Sequence, residues 1–416
     1  MKILFINAYF IPETIAFSHL EKDIIEGLIA SGNEIEVICP IPTRSVSDEV
    51  YKKYKYIHTE NLYNGKVQVK RFWAPREGGG IITRAFRYLW CNIREYQIGR
   101  KYKNIDAVFA VSTPPTQGLL AGRLSKELQC PFIYSVQDIF PDSLVTTGIT
   151  RQGSLIWKIG RKIEKKTYEY AKHIIVISKT CKKNLLKKGV SESKLSLVSN
   201  WVDIEKIKPI AREKNRLITE LQIDPKQFLV VYAGNFGAAQ GADIVLKAAE
   251  LLCAEDGIQF VIFGGGAEFN DAVDYVKNHK LSNVLIQPLL PQKRVAEVYS
   301  LGNVALITCK SGVGKSGMPS KTWSIMACDT PIIACFDEES DLKELLRSSG
   351  AGICIPPENA EKLSNAILEI KKKDIRYAGG RKYVIENASK ACCVKKYLNI
   401  ICGETQKKCD NGITFG

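Results

Sequence analysis

The chain has 416 residues, 45% of them hydrophobic and 25% charged, which is typical of a soluble globular protein with more than one domain. Thirteen scattered cysteines without a C-x-x-C pair, and only four histidines, argue against a disulfide scaffold and a zinc site. No stretch approaches the ~18 apolar residues of a membrane span, and the first residues resemble a strand rather than a signal peptide. We therefore expect a cytoplasmic protein.

Positive charge is concentrated in the first half of the chain. The formal net charge is +15, and residues 1–200 contain 31 basic and 18 acidic residues, against 28 and 26 in the remainder. A basic surface confined to one half indicates an anionic partner there. Because no recognised nucleic-acid-binding module is present, we do not expect that partner to be nucleic acid.

Short apolar runs alternate with helical patterns through the first 200 residues. The predicted elements are strand 2–7, helix 18–31, and strands 34–39, 107–111, 131–135 and 174–178. Strands that alternate with helices predict a parallel sheet with crossover helices.

The same alternation restarts near residue 205. The predicted strands are 228–233, 259–263, 284–286, 304–308, 331–334 and 352–355, with a helix at 242–254. We therefore predict an α/β fold of two doubly wound domains, 1–200 and 201–384, joined by a linker at 200–209, with the carboxyl ends of their strands facing a central cleft. Residues 385–416 are predicted to form a helix that packs back toward the first domain, followed by a frayed tail.

Two glycine-rich turns follow predicted strands of the second domain, at 234–241 and 264–266. Glycine lets a backbone approach a phosphate closely, and a following helix offers unpaired N–H groups. A tight connection between strand and helix would explain the glycines equally well.

The run 310–316 resembles a P-loop, but Cys309 stands where that motif requires glycine. We interpret it as a flexible loop leading to a helix at 322–328, with Pro319 in the first helical turn. The loop amides and Lys321 could together hold a diphosphate.

In the first domain, three polar segments follow predicted strands, at 10–16, 112–115 and 137–143. Asp138 is either a catalytic or acceptor-binding group at the cleft or a cap of the next helix. The chain shows no hydrolytic triad and no nicotinamide fingerprint.

Two segments, 81–103 and 155–171, mix basic residues with apolar and aromatic ones at helical spacing. Each is either a packed helix with a solvated basic face or a basic amphipathic helix on a membrane. Their occurrence in the same basic half favours contact with an anionic membrane surface, through residues such as Arg84, Arg87, Lys162 and Lys165.

Taken together and in this order, the segments resemble the family 4 retaining glycosyltransferases of the GT-B fold. The resemblance covers nearly the whole chain and is strongest to the branch that assembles O-antigen, capsule or exopolysaccharide, including N-acetyl-L-fucosamine transferases. The segments that carry it are 10–16, 136–143, 177–184, 199–203, 232–241, 263–268, 317–334 and 337–340. It implies that the first Rossmann-like domain binds the acceptor and the second binds the nucleotide sugar.

The resemblance, together with the positions of residues at strand ends, predicts roles for individual residues. The expected catalytic residues are Asp138 and Lys321, and the expected acceptor-binding residues are Glu13, Thr14 and Thr113. The expected donor-binding residues are Gly234, Asn235, Gly237, Gln240, Gly264, Gly265, Ser316, Gly317, Pro319, Ser320, Ser324, Glu338 and Glu339.

This sequence departs from the family pattern at two places. The cation usual in the first glycine-rich turn is replaced by the uncharged Asn235 and Gln240, so Lys321 is expected to supply the positive charge. The family's pair of glutamates around the last loop and helix is replaced by Ser316 and Ser324. Glu338 or Glu339 is then expected to contact the donor sugar.

These features predict a transferase that moves a sugar from a nucleoside diphosphate donor, most simply a UDP-sugar, to a lipid-diphosphate-linked saccharide at the inner face of the cell membrane. The resemblance implies front-face attack, with the protein stabilising charge on the leaving diphosphate, and we expect no metal or other cofactor. Two alternatives are a nucleotide-sugar epimerase of the same architecture and a non-catalytic nucleotide-sugar-binding scaffold.

Overall fold

The computed structural model describes residues 1–15, 17–76, 80–146, 148–375 and 377–403, and for Ile81, Ile82 and Ser316 it describes the backbone only. The chain forms two compact units. Among the described residues, unit 1 comprises Met1–Ser199 and Cys393–Gly403, and unit 2 comprises Asn200–Cys392. Most of the predicted frayed tail, residues 404–416, lies outside the described residues.

Unit 1 is built on a largely parallel sheet. Its strands are β1 (Lys2–Ile6), β2 (Glu34–Pro40), β3 (Thr59–Leu62), β4 (Val67–Phe72), β5 (Ala107–Val111), β6 (Phe132–Val136), β7 (His173–Val176) and β8 (Leu195–Leu197). The strand order is β3-β4-β2-β1-β5-β6-β7-β8. Only the pairing of β3 with β4 is antiparallel within this described sheet.

Helices cover both faces of this sheet. They are α1 (Ser18–Ala30), α2 (Asp48–Tyr54), α3 (Ile81–Gly99), α4 (Gln117–Glu127), α5 (Asp142–Thr146), α6 (Leu155–Tyr170) and α7 (Lys179–Lys187). On one face α4 packs between α3 and α6. This packing requires glycine at Gly122, because a Cβ there would stand 2.5 Å from the Cβ of Tyr170 on α6.

Unit 2 has a sheet in which every described pairing is parallel, with strand order β11-β10-β9-β12-β13-β14. Its elements are α8 (Arg216–Glu220), β9 (Phe228–Asn235), α9 (Asp243–Leu251), β10 (Ile258–Gly265), α10 (Phe269–Asn278), β11 (Val284–Pro288), α11 (Val295–Tyr299), β12 (Val304–Thr308), α12 (Lys321–Ala327), β13 (Ile332–Cys335), α13 (Asp341–Ser349), β14 (Gly352–Ile355), α14 (Ala360–Lys373) and α15 (Gly380–Asn387). The buried strand residues are mostly branched aliphatic, as expected for strands covered on both faces.

The last helix, α16 (Lys390–Gly403), starts at the end of unit 2 and continues into unit 1. Its Val394 and Leu398 pack against α1 at Gly27, where a Cβ would lie 2.5 Å from Val394 Cγ1. The Tyr397 hydroxyl is fully buried and lies 2.9 Å from Ser135 Oγ on β6. This helix therefore completes the face of the unit 1 sheet opposite α3, α4 and α6.

The structure differs from the sequence expectations in several local features. Strands β3 and β4 and helix α2 were not predicted, because their short runs are rich in polar residues, and β8 was missed because it has only three residues. Strands β9 and β10 extend through their first glycines, so Gly234, Asn235, Gly264 and Gly265 end strands rather than follow them. Helix α12 begins at Lys321, so Pro319 precedes the first helical turn instead of lying within it.

Candidate active site

The donor-binding residues predicted in unit 2 come together at one edge of its sheet. Neighbouring strands β10, β9, β12 and β13 are parallel, so the loops at their carboxyl ends share that edge. Gly264 pairs with Gly234 and Gly265 with Asn235 across the ends of β10 and β9. The loop after β9 contacts the loop after β12 directly, because Lys310 N donates to Ala239 O at 3.0 Å.

Lys321 is a cation at this edge that reaches the end of β9. Its Nζ donates to Ala233 O at 2.9 Å and lies 4.7 Å from the centroid of the Tyr232 ring. A Cβ at Gly234 would stand only 2.5 Å from the same Nζ, so glycine lets the lysine reach the end of β9. The described residues give Lys321 no acidic partner, and burial lowers its pKa to about 8. A desolvated cation with only a carbonyl and a ring as partners is suited to binding an anionic group.

The turn after β9 contains no cation of its own. Asn235 is exposed, and its carbonyl accepts the Tyr232 hydroxyl at 2.9 Å. Gln240 N donates to Gly237 O at 3.0 Å, and its side chain is near Gly237. Lys321, which follows β12 in sequence, places its ammonium at this turn.

The glycines after β10 are set by close packing. A Cβ at Gly264 would overlap the ring of Phe269 and lie 2.9 Å from the ring of Phe236. Gly266 has a φ of +100°, and a Cβ there would lie 2.6 Å from Phe236 O. These glycines therefore allow the loops after β9 and β10 to pack together, and Gly265 is left partly exposed at the edge.

The loop between β12 and α12 is held by Asp337, a residue whose role the sequence did not reveal. Asp337 is 6% exposed, and its two carboxylate oxygens accept the N–H groups of Gly312 and Gly314, each at 2.8 Å. At Gly314 a Cβ would collide with the ring of Phe336. The carboxylate thus fixes the approach of this loop to the end of β13. The sequence signal that could have identified this role is an acidic residue two positions after a buried strand.

The remaining donor candidates have different surroundings. Gly317 and Ser320 are exposed, whereas Pro319 and Ser324 are half-buried. Ser320 is the N-cap residue of α12, but its side chain makes no capping hydrogen bond. Ser316 ends a short 3-10 helix, and only its backbone is described.

Glu338 and Glu339 are exposed and paired with lysines. Glu338 Oε1 lies 3.3 Å from Lys343 Nζ, and Glu339 Oε2 lies 3.2 Å from Lys315 Nζ. Both follow β13 at the same edge as Lys321. Their position agrees with a contact to a bound sugar, which stays a prediction.

The acceptor candidates in unit 1 also gather at one sheet edge. Thr14, Thr113 and Asp138 follow β1, β5 and β6, which are neighbours in the sheet, and all three are exposed. Ser112 Oγ accepts the N–H groups of Gln137 and Asp138 at 3.0 and 3.1 Å. This fixes the backbone on which the Asp138 carboxylate is presented.

Glu13 lies at the same edge, but its side chain is fully buried. Its carboxylate accepts the N–H groups of Thr43 and Arg44 at 2.8 Å each and that of Phe10 at 3.2 Å. Burial raises its pKa, while these backbone donors and the nearby Arg87 act in the opposite direction. Glu13 therefore joins the loop after β1 to the loop after β2, and the direct acceptor contact expected of it does not fit this burial.

The two basic helices expose apolar residues as well as charge. On α3, Phe86, Leu89 and Ile93 are 61%, 61% and 46% exposed and lie on one face. On α6, Leu155, Ile156 and Ile159 are 74%, 58% and 51% exposed. No helix among the described residues is long and apolar enough to cross a membrane.

One residue of the predicted basic surface must be corrected. Arg87 is 0% exposed, because α3 turns it inward toward Pro75 and Thr43. By contrast, Arg84, Lys162 and Lys165 are exposed. Helical spacing identified the basic residues of α3 but could not assign each of them to the surface.

Two family models match consecutive parts of the chain. The model for Glycosyltransferase Family 4 matches residues 22–206, and the model for Glycosyl transferases group 1 matches residues 213–391. Between them they cover most of both units.

Curated relatives are similar over much of their length. The probable glycosyltransferase WbjE of Pseudomonas aeruginosa is 26% identical over 298 residues, which are 70% of this chain and 73% of WbjE. The putative colanic acid biosynthesis glycosyl transferase WcaI of Escherichia coli (strain K12) is 22% identical over 416 residues, covering 97% of this chain and all of WcaI.

Solved structures share the fold at low sequence identity. Sucrose-phosphate synthase from Thermosynechococcus elongatus gives a TM-score of 0.72 at 17% identity, covering 96% of this chain and 98% of that one. HepE of Anabaena, in complex with UDP, gives a TM-score of 0.71 at 13% identity, covering 97% of this chain and 100% of HepE. The predicted fold of two Rossmann-like α/β domains is confirmed.

Proposed function

Because the chain belongs to the family 4 glycosyltransferases of the GT-B fold, we propose that it is a retaining enzyme that transfers a sugar from a UDP-linked donor to a lipid-linked saccharide. The observation that supports donor binding is the environment of Lys321. This desolvated cation has no acidic partner among the described residues and lies beside the glycines that end β9 and β10. The solved complexes of HepE with UDP and with UDP-glucose support a uridine nucleotide as the donor carrier.

The proposed reaction breaks the bond between the sugar C1 and the diphosphate oxygen. A bond forms between C1 and the acceptor oxygen on the same face, and the acceptor proton passes to the leaving diphosphate. Negative charge grows on the diphosphate as the C1–O bond opens, so a fixed cation stabilises the transition state more than the bound donor. Lys321 has this role, and it requires no metal ion or other cofactor.

Asp138 has the complementary role on the acceptor side. Its exposed carboxylate, set by the Ser112 hydrogen bonds, accepts a hydrogen bond from the acceptor and orients the attacking hydroxyl. Thr14 and Thr113 offer further hydroxyl groups at the same edge of unit 1. Glu338 and Glu339 contact the donor sugar.

The relatives' names support a role in bacterial polysaccharide assembly. WcaI is named for colanic acid biosynthesis, and other solved structures with the same fold include WaaG, a glycosyltransferase involved in lipopolysaccharide biosynthesis. We therefore propose O-antigen, capsule or exopolysaccharide repeats as the product class, with a hexose or an N-acetylated amino sugar as the transferred group.

An anionic membrane surface is the proposed location of the acceptor. Helices α3 and α6 lie on the same face of the unit 1 sheet, with α4 between them, and each exposes three large apolar side chains among those the structure describes. Exposed apolar residues next to exposed lysine and arginine are typical of helices that lie in a membrane interface. Such a surface would bring unit 1 to the inner face of the cell membrane, where a lipid-linked saccharide is accessible.

Donor binding is tested by ligand-induced thermal stabilisation with UDP, GDP and ADP. We expect selective stabilisation by UDP, increasing with its concentration, because only a ligand of the folded state shifts the transition. Lys321→Ala should weaken UDP binding by ~1.5–3 kcal/mol through loss of a charge-assisted contact. Lys247→Ala is the matched control, since Lys247 pairs only with Asp243 on α9 in the described contacts.

Two results would contradict the donor proposal. An unchanged UDP affinity in Lys321→Ala would remove Lys321 from the site. Stabilisation by ADP but not by UDP would reject a uridine nucleotide.

Membrane binding is tested separately, by sedimentation with phosphatidylglycerol vesicles at low and high salt. Charge reversal at Arg84, Lys162 and Lys165 should release the protein, most clearly at low salt. The same reversal at Lys277, Lys343 and Lys372 in unit 2 is the control and should leave binding intact. Equal binding by both triple variants would reject the membrane role of α3 and α6.

A further inference from the structure

Unit 1 contains a pair of arginines that share one aromatic ring. The guanidinium carbons of Arg87 and Arg44 lie 5.0 and 5.4 Å from the centroid of the Tyr9 ring. Tyr9 follows β1 and is buried, Arg87 belongs to α3, and Arg44 lies on the loop after β2. We call Tyr9, Arg44 and Arg87 the Tyr9 cluster.

The hydrogen bonds of Arg87 leave its charge available to a ligand. Nε donates to Pro75 O at 3.2 Å and Nη2 donates to Thr43 Oγ1 at 3.0 Å, and both acceptors are uncharged. Its Nη1 is buried and has no hydrogen-bond partner among the described residues. A buried guanidinium N–H without a partner is costly, and an oxyanion would satisfy it.

The acids near Arg87 do not neutralise it fully. Glu95 is 0% exposed, and burial raises its pKa well above the usual range. Burial also raises the pKa of Glu13, whose oxygens are occupied by three backbone N–H groups. Arg87 therefore keeps much of its positive charge beside the Tyr9 ring.

Glu13 also fixes the position of Arg44. It binds the Thr43 and Arg44 N–H groups, so the backbone at Arg44 is held while the Arg44 side chain is exposed. Tyr88, on α3, adds a hydroxyl 3.4 Å from the hydroxyl of Tyr9. The cluster thus combines a buried inner guanidinium, that of Arg87, with an exposed outer one, that of Arg44.

The location of the cluster indicates its ligand. Arg87 points inward from α3, whose other face exposes the apolar residues Phe86, Leu89 and Ile93. The loop after β1, which carries Tyr9 and Glu13, continues to the acceptor candidate Thr14. The cluster therefore lies between the helix that faces the proposed membrane and the edge that faces the proposed acceptor sugar.

We propose that the Tyr9 cluster binds the diphosphate of the lipid-linked acceptor, an inference that rests on the proposed function. A diphosphate is the group that joins the lipid to the saccharide, so it occupies the boundary between membrane and sugar. Arginine matches phosphate oxygens with two parallel N–H donors, and two guanidiniums on one ring can each engage one phosphate group. Arg44 closes over the ligand from the exposed side.

The same oxyanion chemistry occurs in phospholipid headgroups and in free pyrophosphate, and the experiment separates these sources. Binding of the full chain is measured to phosphatidylcholine vesicles containing either a polyprenyl diphosphate or phosphatidylglycerol at matched surface charge. We expect a preference of about tenfold for the diphosphate vesicles, lost in Arg44→Gln. Arg100→Gln is the control, because Arg100 is also exposed and lies 5.9 Å from a tyrosine ring, that of Tyr96.

Inorganic pyrophosphate should compete for the diphosphate vesicles and leave phosphatidylglycerol binding unaffected. Equal binding of the unmodified chain to both vesicle types overturns the proposal, as does a preference retained by Arg44→Gln. Arg87→Lys, which keeps the charge but offers a single donor group, should reduce the preference. Urea unfolding of Arg87→Lys, followed by the fluorescence of tryptophans in unit 1 and by circular dichroism, checks that unit 1 of the variant folds.

The outcomes also separate this inference from the proposed function. A diphosphate preference in a chain that does not respond to UDP would keep the Tyr9 cluster and reject the UDP-dependent transferase. A UDP response without any preference for diphosphate vesicles would reject only the proposed role of the Tyr9 cluster in binding the acceptor diphosphate.

Discussion

Units 1 and 2 place their charges in opposite ways. Unit 1 has the basic surface, yet its interior holds glutamates, including Glu13, Glu21, Glu95 and Glu164. Unit 2 is nearly neutral overall, yet the cation Lys321 is desolvated at its sheet edge. Net charge therefore describes the partner at the surface, whereas the burial of individual groups indicates where a substrate's charge is stabilised.

The largest expected effect concerns Glu21 in unit 1. Glu21 is 5% exposed, and burial raises its pKa from 4.5 to about 8, partly opposed by the nearby Asn7 side chain. The folded state then binds a proton that the unfolded state releases, so the free energy of unfolding falls as the pH rises from 4.5 toward 8, by roughly 4 kcal/mol. Glu21→Gln should remove most of this loss in urea unfolding at pH 5 and pH 8. Glu26→Gln on the same helix should not, and equal pH dependence in both variants would contradict the prediction.

Asp337 tests the loop organisation of unit 2. Asp337→Asn replaces one of two acceptor oxygens with an NH2 group, which would face a glycine N–H. We expect a loss of ~1–3 kcal/mol in the free energy of unfolding, together with weaker UDP binding. Calorimetric titration with UDP and urea unfolding measure the two effects, with Asp243→Asn on α9 as the control. A variant with normal UDP affinity would show that the donor site does not depend on this loop.

Lys321 should show the opposite pH dependence from Glu21. Its pKa of about 8 means that raising the pH from 7 to 9 neutralises most of the free lysine, so UDP affinity should fall by about tenfold. The unfolded state retains the lysine proton up to pH 10.5, so the contribution of Lys321 to the free energy of unfolding increases between pH 8 and 10.5. Titration of UDP at pH 7 and 9 checks the first effect. If the UDP affinity of Lys321→Ala fell by the same factor between pH 7 and 9, the pH dependence would have to come from another group.

The smallest effect is expected at Glu338 and Glu339. Both form exposed ion pairs, so Glu338→Gln and Glu339→Gln should each change the free energy of unfolding by less than ~0.5 kcal/mol. If either contacts the sugar, UDP-sugar affinity should fall in that variant while UDP affinity stays the same. Parallel titrations with UDP and UDP-glucose make the comparison. If both variants bound UDP and UDP-glucose with unaltered affinity, neither Glu338 nor Glu339 would contact the donor sugar.

The sheet architecture was predictable because strand periodicity and the punctuation by glycine and proline are local signals. Strand β4 shows where that reasoning stops. Its alternating residues Val67, Val69 and Arg71 are all buried, and the arginine is paired with Glu60 at 2.8 Å. A pattern that assigns arginine to the surface misses such a strand.

Long-range contacts decided the roles that the sequence could not assign. On α3 the buried positions Arg87, Cys91 and Glu95 follow helical spacing, but two of the three are charged types that normally mark a solvated face. Glu13 is buried by a loop some thirty residues later in the chain. Lys321 was identified from its sequence neighbours, while its low pKa depends on burial at the end of β9.

Helix α16 makes unit 2 an insertion within unit 1. Residues Asn200–Cys392 form one continuous segment whose two ends meet, since Val202 pairs with Ser389. During translation, all of unit 2 has been synthesised before residues 393–403 leave the ribosome. Until those residues emerge, unit 1 lacks the helix that packs on Gly27. The half of the protein synthesised first is thus the last to acquire its full core, and a fragment ending at Ser199 would expose the apolar surface that α16 covers.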